Sequence, residues 1–424
     1  MNLRQSCVAV AISTVLCGPV LAATPAQSDI LDNYANIAHA TYEDSLLTAK
    51  ELHRVLNQFL AAPTESNLVK ARQAWINARV PYQQSEAFRF GNPIVDDWEG
   101  KVNAWPLDEG LIDYVATSYG AESDENPFYA ANIIANKKLS VGGVEIDASN
   151  INKQLLAETL HEIDEVEANV ATGYHAIEFL LWGQDLNGNN PGAGNRPATD
   201  FDLDNCTHGN CDRRRDYLMA ATELLIDDLD EMANNWAPKG AARSELLTKA
   251  PAEGIATILT GMGSLAYGEL AGERTKLGLM LHDPEEEHDC FSDNTHNSHF
   301  YDAKGIKNVY LGQYTRVDGS VVSGVSLAEL VKSQAPVVDQ NLRNKLEKTE
   351  AAAQAMVNEA TKGNTFDVLI GVDNKAGNQV VQTFVNALVA EAEAIEDAIA
   401  VLKLEGVELE GSDSLDNPAS ISAE

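Results

Sequence analysis

Apolar side chains recur at spacings of three and four through most of this chain, and that period predicts helices. The stretch from Ile30 to Ala61 places Leu46, Leu52, Leu56 and Leu60 on such a period, and Pro63-Thr64 breaks it. A second helix is predicted over Glu65–Phe90, stopped by Gly91-Asn92-Pro93. Residues 92–150 are mixed, with a short helical piece at Leu107–Val115 and a turn at Gly142-Gly143. A helix over Val166–Trp182 ends at Gly183, and 184–210 reads as a loop rich in Asn, Gly and Pro. Further periodic runs cover Arg213–Trp236, Gly254–Leu281, Leu327–Lys332, Val337–Val357 and Val380–Leu402, with a polar loop over 282–300. Strand signals are confined to brief runs such as Asn308–Leu311.

The pattern predicts an all-α fold of antiparallel helices stacked as bundles. At roughly 150 residues per domain, 424 residues accommodate two bundles. The expected division is an N-terminal bundle over 27–240 and a C-terminal bundle over 241–404. An acidic, Ser-rich tail over 405–424 is expected to be disordered. Gln84-Ser85-Glu86 with Gly91 and Ala271-Gly272-Glu273 with Gly278 form a weak internal echo, each Glu standing five residues before a Gly. The echo suggests a duplication relating the two bundles, although two matched positions also arise by chance.

Ahead of these helices, Arg4 precedes an apolar run from Cys7 to Val20, and Val20-Leu21-Ala22 fits a small-residue cleavage site. This is the pattern of a secretory signal peptide over residues 1–22. The run is shorter than the ~20 apolar residues of a membrane span, and no later segment is long and apolar enough to cross a bilayer. The mature chain is therefore expected to be exported, into a bacterial periplasm, free or attached to the outer membrane. Of the remaining cysteines, Cys206 and Cys211 flank a short Gly/Asn-rich loop that an oxidising compartment allows to close as a disulfide, leaving Cys290 as a buried thiol. Thirty Lys and Arg stand against 64 Asp and Glu, a net charge of −34. That balance excludes nucleic acid, whose phosphates need a basic footprint, and disfavours an anionic membrane surface. It suits the attraction of cations.

The sharpest chemical feature is Gly173-Tyr174-His175-Ala176-Ile177-Glu178. Residues three apart share a helix face, so His175 and Glu178 project together and can supply an imidazole and a carboxylate to zinc or iron. In an arbitrary helix the same pair more often makes a structural hydrogen bond. A second cluster, His282 to His296, concentrates Glu285, Glu286, Glu287, His288, Asp289, Cys290 and Asp293 at a helix end and the loop after it. A third places Trp75, Arg79, Tyr82, Glu86 and Arg89 at spacings of three and four; there Glu86 either reaches a cation in the bundle core or pairs with Arg89. Glu109 and Asp108 open a short helix, where capping accounts for them. The H-E-x-x-H, G-x-S-x-G and Walker A patterns are missing. Asp185-Leu186-Asn187-Gly188-Asn189-Asn190 starts like a calcium loop, but its sixth position is not Gly and Arg196 stands at the twelfth, where an EF-hand needs Glu.

Taken together, Gly173-x-His175-x-x-Glu178 followed by Trp182-Gly183-Gln184-Asp185 resembles the imelysin-like proteins. Glu286 to His296, Arg196-Pro197-x-Thr199-Asp200-Phe201 and Gln84-Ser85-Glu86 resemble the iron-regulated protein A branch of that family. The resemblance implies two helical bundles related by an old duplication, with a site at their junction. It also implies a part in bacterial iron uptake, among components of the cell envelope, and a grouping with metallopeptidases. On this reading a divalent metal, iron or zinc, is held by His175 and Glu178 with Glu86 as third ligand. Glu109, Glu273, Asp293 and His296 are further candidates to line the site. A hydrolytic zinc site needs three protein ligands and an open position for water, and the motif itself supplies two. Three functions stay open: a metal-binding protein of iron acquisition, a zinc peptidase with Glu86 or Glu273 as general base, and a non-enzymatic module holding a peptide or protein between the bundles.

Overall fold

The computed structural model describes residues 24–141 and 143–421; the expected signal peptide lies outside them, as does Gly142 of the expected turn. The chain begins with two long helices, α1 (Gln27–Ala61) and α2 (Glu65–Ser85), joined where Thr64 caps α2 through Asn67 N. Then follow α3 (Pro93–Asn103), with Pro at its first turn, the single-turn α4 (Glu109–Ile112), a two-stranded antiparallel hairpin of β1 (Lys138–Val141) and β2 (Val144–Asp147), and the short α5 (Lys153–Leu155). The motif helix is α6 (Gly173–Trp182), followed by α7 (Cys211–Trp236) and α8 (Ala241–Thr248). A continuous helical rod comes next: α9 (Pro251–Ser264), a π-helical segment (Leu265–Leu277) and α10 (Gly278–Leu281). The remainder is α11 (Thr295–Leu311), a small hairpin of β3 (Gln313–Thr315) and β4 (Val321–Ser323), α12 (Leu327–Gln334), α13 (Pro336–Ala360), α14 (Phe366–Ile370), α15 (Lys375–Leu402) and α16 (Asp413–Asp416). The fold is all-α. Among the described residues no helix is long and apolar enough to cross a membrane.

Helices α1, α2, α6 and α7 pack on one another, as do α9, the π-helical segment, α11, α13 and α15. The two groups meet where α2 packs against α11 and α1 against α9. Gly305 makes the first of these contacts close, since a Cβ there would stand 2.6 Å from the Gln84 carbonyl oxygen. One buried apolar cluster runs through both groups. Helix α8, just past the expected division at 240, packs on α7 and α1.

Four local expectations are corrected. The helix expected from Val166 begins at Gly173, because Gly173 has φ +76° and Thr172 is extended. The strand signal at Asn308–Leu311 lies inside α11, where burial against α2 and α13 overrides β propensity. The polar loop expected over 282–300 is only partly a loop: α11 starts at Thr295, and Glu287, His288 and Asp289 are buried. The tail expected to be disordered is in part packed: residues 410–416 lie against the π-helical segment. Ser414 Oγ donates to Gly272 O at 3.0 Å, and Ser412 and Ser414 are buried. Its acidic composition predicted solvation, but small residues on the rod let its backbone come close; a Cβ at Gly268 would stand 2.7 Å from Glu410 O.

Glu391 of α15 is fully buried, and neither of its carboxyl oxygens has a partner. The nearby Thr349 hydroxyl donates instead to Lys345 O at 3.2 Å. Burial pushes Glu391 from the ordinary 4.5 up to about 8. The folded chain therefore holds a proton that the unfolded chain releases, and stability falls as pH rises from about 4.5 to about 8. Glu391→Gln is expected to remove that slope and to stabilise the fold at pH 8 by at least about 1 kcal/mol, with little change at pH 4.5, as read by denaturant unfolding.

Candidate metal centre

Every residue of α6 is buried. Its start is dictated by Gly173: the positive φ favours glycine, and a Cβ there would collide with the Val102 backbone. Its end is closed by Gly183 at φ +72° and by Arg72, whose guanidinium donates to the Leu181 carbonyl at 3.1 and 3.0 Å. Trp75 Nε1 donates to Tyr174 O at 2.9 Å from the flanking α2. The first motif position thus sets where the helix begins, and the helix then aims His175 and Glu178 inward, away from solvent.

His175 Nδ1 lies 2.9 Å from Glu178 Oε2. The other carboxyl oxygen of Glu178 accepts from Ser292 N (3.0 Å) and Ser292 Oγ (2.6 Å). This ties α6 to the segment 287–294, which is also held by Trp105 Nε1 donating to Glu287 O (3.0 Å) and Gly194 N donating to Phe291 O (2.9 Å). The segment brings His288 against His175, ring centroids 4.9 Å apart. One donor atom from each of His175, His288 and Asp289 lies within 4.8 Å of the others, and all three residues are buried. His175 Nε2 and His288 Nδ1 have no hydrogen-bond partner.

The electrostatics keep both imidazoles neutral. Burial, reinforced by Arg79, holds His175 down at about 3. Burial, with Arg274 and His175, holds His288 well below the usual histidine range. Burial pushes Glu178 well above the carboxylate range, with Asp289 adding to it. Burial also works against the charge on Asp289, but Arg79 outweighs it and holds this carboxyl below its ordinary value. Arg79 Nη2 donates to Asp289 Oδ1 at 2.8 Å, while Asn294 and Ser298 occupy Oδ2. Asp289 is therefore the most committed of the three donors, and the two imidazoles are the free ones.

His288 also faces a cavity of about 600 Å³ between the two groups of helices. Glu99, Glu269, Glu273 and Glu286 line it, with Arg89 and Arg274 among them. Of the three clustered residues, His288 alone lines this cavity.

The sequence candidates fall in different places. Glu86 is buried against Arg274, whose Nη2 lies 2.7 Å away, and His288 and Asp289 rather than Glu86 stand with His175. Burial pushes Glu86 up, but Arg274 and Arg89 together bring it below the ordinary carboxylate value. Glu273 is half-buried on the cavity wall. Glu109 is buried in the first turn of α4, pushed up to about 7 by burial and then Glu285. His296 is half-buried near Asp289, held at about 4 by burial. Asp293 joins Asp185 and Asp367 in a separate group of carboxylates. Cys206 and Cys211 form a disulfide, and Cys290 is free and half-buried. The Arg196–Phe201 motif builds a buried network in which Arg196 Nη1 donates to Asp113 (2.6 Å) and Asp200 (3.2 Å). His288 and Asp289 lay within the acidic segment noted in the sequence, but no spacing rule links them to His175; only the packing of 287–294 on α6 does.

The Imelysin family model matches residues 38–395. This chain belongs to the imelysin family. A relative in Synechococcus elongatus named Iron-regulated protein A is 24% identical over 305 residues, covering 69% of this chain and 65% of that protein's length, so the match spans just under two thirds of the relative. Among solved structures, an iron-regulated protein A precursor from Parabacteroides distasonis superposes with a TM-score of 0.63 at 18% identity, covering 90% of this chain and 96% of that one. An imelysin-like protein from Psychrobacter arcticum superposes with a TM-score of 0.56 at 16% identity, covering 90% and 98%. At these identities the likeness is one of fold. In this imelysin-family chain the Gly173, His175 and Glu178 motif occupies the seam between the two helix groups.

Arg274 is the cation that balances Glu86, Glu269 (2.7 Å) and Asp302 (3.3 Å) in the same seam. Arg274→Met leaves buried carboxylates unpaired and is expected to destabilise the fold by about 3–5 kcal/mol in denaturant unfolding. Adding Glu86→Gln should recover part of that loss, as expected for an ion pair.

Proposed function

We propose that this chain is an exported metal-binding protein of bacterial iron acquisition, holding one divalent ion, iron or zinc, through the His175 and His288 imidazoles. The observation that carries this reading is the pair of buried, unpartnered ring nitrogens, His175 Nε2 and His288 Nδ1, in one cluster with the Asp289 carboxylate. Buried polar atoms without partners are uncommon and call for a reason. Neutral imidazoles with a carboxylate form a donor set suited to Zn²⁺ or Fe²⁺.

In this arrangement Glu178 is not a ligand. It sits behind His175, on Nδ1, and with the ring proton placed there it leaves Nε2 free to face the ion. Ser292 holds Glu178 in turn. Asp289 supplies the third donor while keeping its bond to Arg79. The acidic cavity that reaches His288 serves as the approach. A relative bearing the name Iron-regulated protein A and the expected signal peptide support a role in iron handling outside the cytoplasm. Of the carboxylates the peptidase reading could use as base, Glu178 is committed to His175 and Ser292 and Glu86 to Arg274, which leaves it Glu273 on the cavity wall.

Calorimetric titration of the mature chain with Zn²⁺ and Fe²⁺, beside Co²⁺ binding followed by its ligand-field spectrum, tests the site. The expected result is one equivalent with a nitrogen-ligated Co²⁺ spectrum. His175→Ala and His288→Ala should lose that spectrum, and Glu178→Gln should weaken binding about 10–100-fold without abolishing it. Retention of the spectrum and affinity by His175→Ala overturns the assignment. Chelator-sensitive cleavage of a peptide by the same preparation would favour the peptidase.

A further inference from the structure

A second group of donors lies apart from the imidazoles and is not used by the function above. Asp185 leaves the loop after α6, Asp293 belongs to the 287–294 segment, and Asp367 stands in the first turn of α14. One carboxyl oxygen of each lies within 4.8 Å of the others. Asp367 is fully buried and both of its carboxyl oxygens lack a partner; Asp293 is 6% exposed and its Oδ1 lacks one. Glu287, 1% exposed with Oε1 unpartnered, has Asp367 and Asp293 as its foremost charged neighbours. Among the described residues no Lys or Arg forms an ion pair with Asp185, Asp293 or Asp367, and none is among the leading influences on their carboxyls.

Buried carboxylates are ordinarily paired or bound to a metal, because an unpaired one forfeits its hydration. Several other buried carboxylates of this chain have a guanidinium: Arg79 for Asp289, Arg274 for Glu86 and Asp302, Arg196 and Arg214 for Asp113. The Asp185, Asp293 and Asp367 group has none. We propose that these three aspartates form a second cation site, for a hard, oxygen-binding divalent ion of the calcium class, which ties the loop after α6, the 287–294 segment and α14 together.

The donor chemistry separates this site from the first. It offers carboxylate oxygens and no imidazole or thiolate, the preference of Ca²⁺ rather than of Zn²⁺ or Fe²⁺. Oxygens bound to one ion at about 2.4 Å stand no more than about 4.8 Å apart, and the three aspartates keep within that limit. Asn187 Nδ2 donates to Asp185 Oδ1 (2.6 Å) and to Gly192 O (2.5 Å), and Asn189 Nδ2 donates to Asp367 O (2.9 Å). The Asp185–Asn190 stretch that starts like a calcium loop has no acid at its twelfth position, where Arg196 instead pairs with Asp113 and Asp200. The missing acids arrive from Asp293 and Asp367, far along the chain.

The test is calorimetry and thermal melting of the chelated mature chain with CaCl₂, MgCl₂ and MnCl₂. The expected result is one equivalent of Ca²⁺ and an upward shift in Tm. Asp293→Asn and Asp367→Asn should each weaken Ca²⁺ binding at least about tenfold and lose the shift. Both should also melt higher than the wild type when chelated, since a neutral amide replaces a buried, unpaired carboxylate. His175→Ala should bind Ca²⁺ as the wild type does, so failure at the imidazole centre leaves this result untouched. No heat and no Tm shift with any of the three ions, or wild-type Ca²⁺ affinity in both Asn variants, overturns the proposal. Tighter binding of Mn²⁺ than of Ca²⁺ overturns its assignment to the calcium class.

Discussion

Glu178 accepts two hydrogen bonds from Ser292 on one oxygen and stands against His175 on the other. This one buried carboxyl joins the motif helix to a segment more than a hundred residues later, and through it the two helix groups share a polar centre. Phe291 packs on Phe179 of α6, and the Glu178–Ser292 bonds add the polar tie that fixes the 287–294 segment where His288 meets His175. A buried acid left without partners is costly, so the three contacts hold one another in place. The glycine two residues before His175 serves the same end, since it lets α6 begin against the α3 backbone and turn both polar side chains inward.

Around that centre the chain has spent its few cations carefully. Its net charge is −34, yet Arg79 and Arg274 are buried in the seam, and Arg196 and Arg214 inside the first helix group, all with acids as partners. Arginine suits this role because its planar fork makes several hydrogen bonds at once and stays charged when desolvated. Glu86 and Asp113, each beside a guanidinium, are structural partners, and Asp289 is shared between Arg79 and the imidazole cluster. Where no guanidinium is present, imidazoles and carboxylates stand unsatisfied, and there the chemistry of cations becomes the simplest account of why such costly groups persist.

Helical periodicity made the long elements legible. The runs around α1, α2, α7, α13 and α15 declare themselves through apolar residues at spacings of three and four, and their ends through Pro63, Gly91 and the residues near them. Short or irregular elements were not legible in this way. Whether 166–172 continues a helix depends on the Gly173 φ, and whether 410–416 is solvated depends on glycines across the interface, neither of which is a local pattern. The π-helical segment likewise carries no separate signal within a run that reads as one helix.

The same division holds for the site. From the sequence alone one can read that His175 and Glu178 share a face of one helix, because that follows from 3.6 residues per turn. The partners of the pair were beyond such reading. Glu86, just past the end of α2, is turned to Arg274, whereas His288 and Asp289 reach their neighbours from a loop and Asp367 from the first turn of α14, placements that no period describes. Local geometry is set by bond angles and can be counted along a chain; which distant donors converge is settled only when two groups of helices close on each other and every buried charge must find a counterpart.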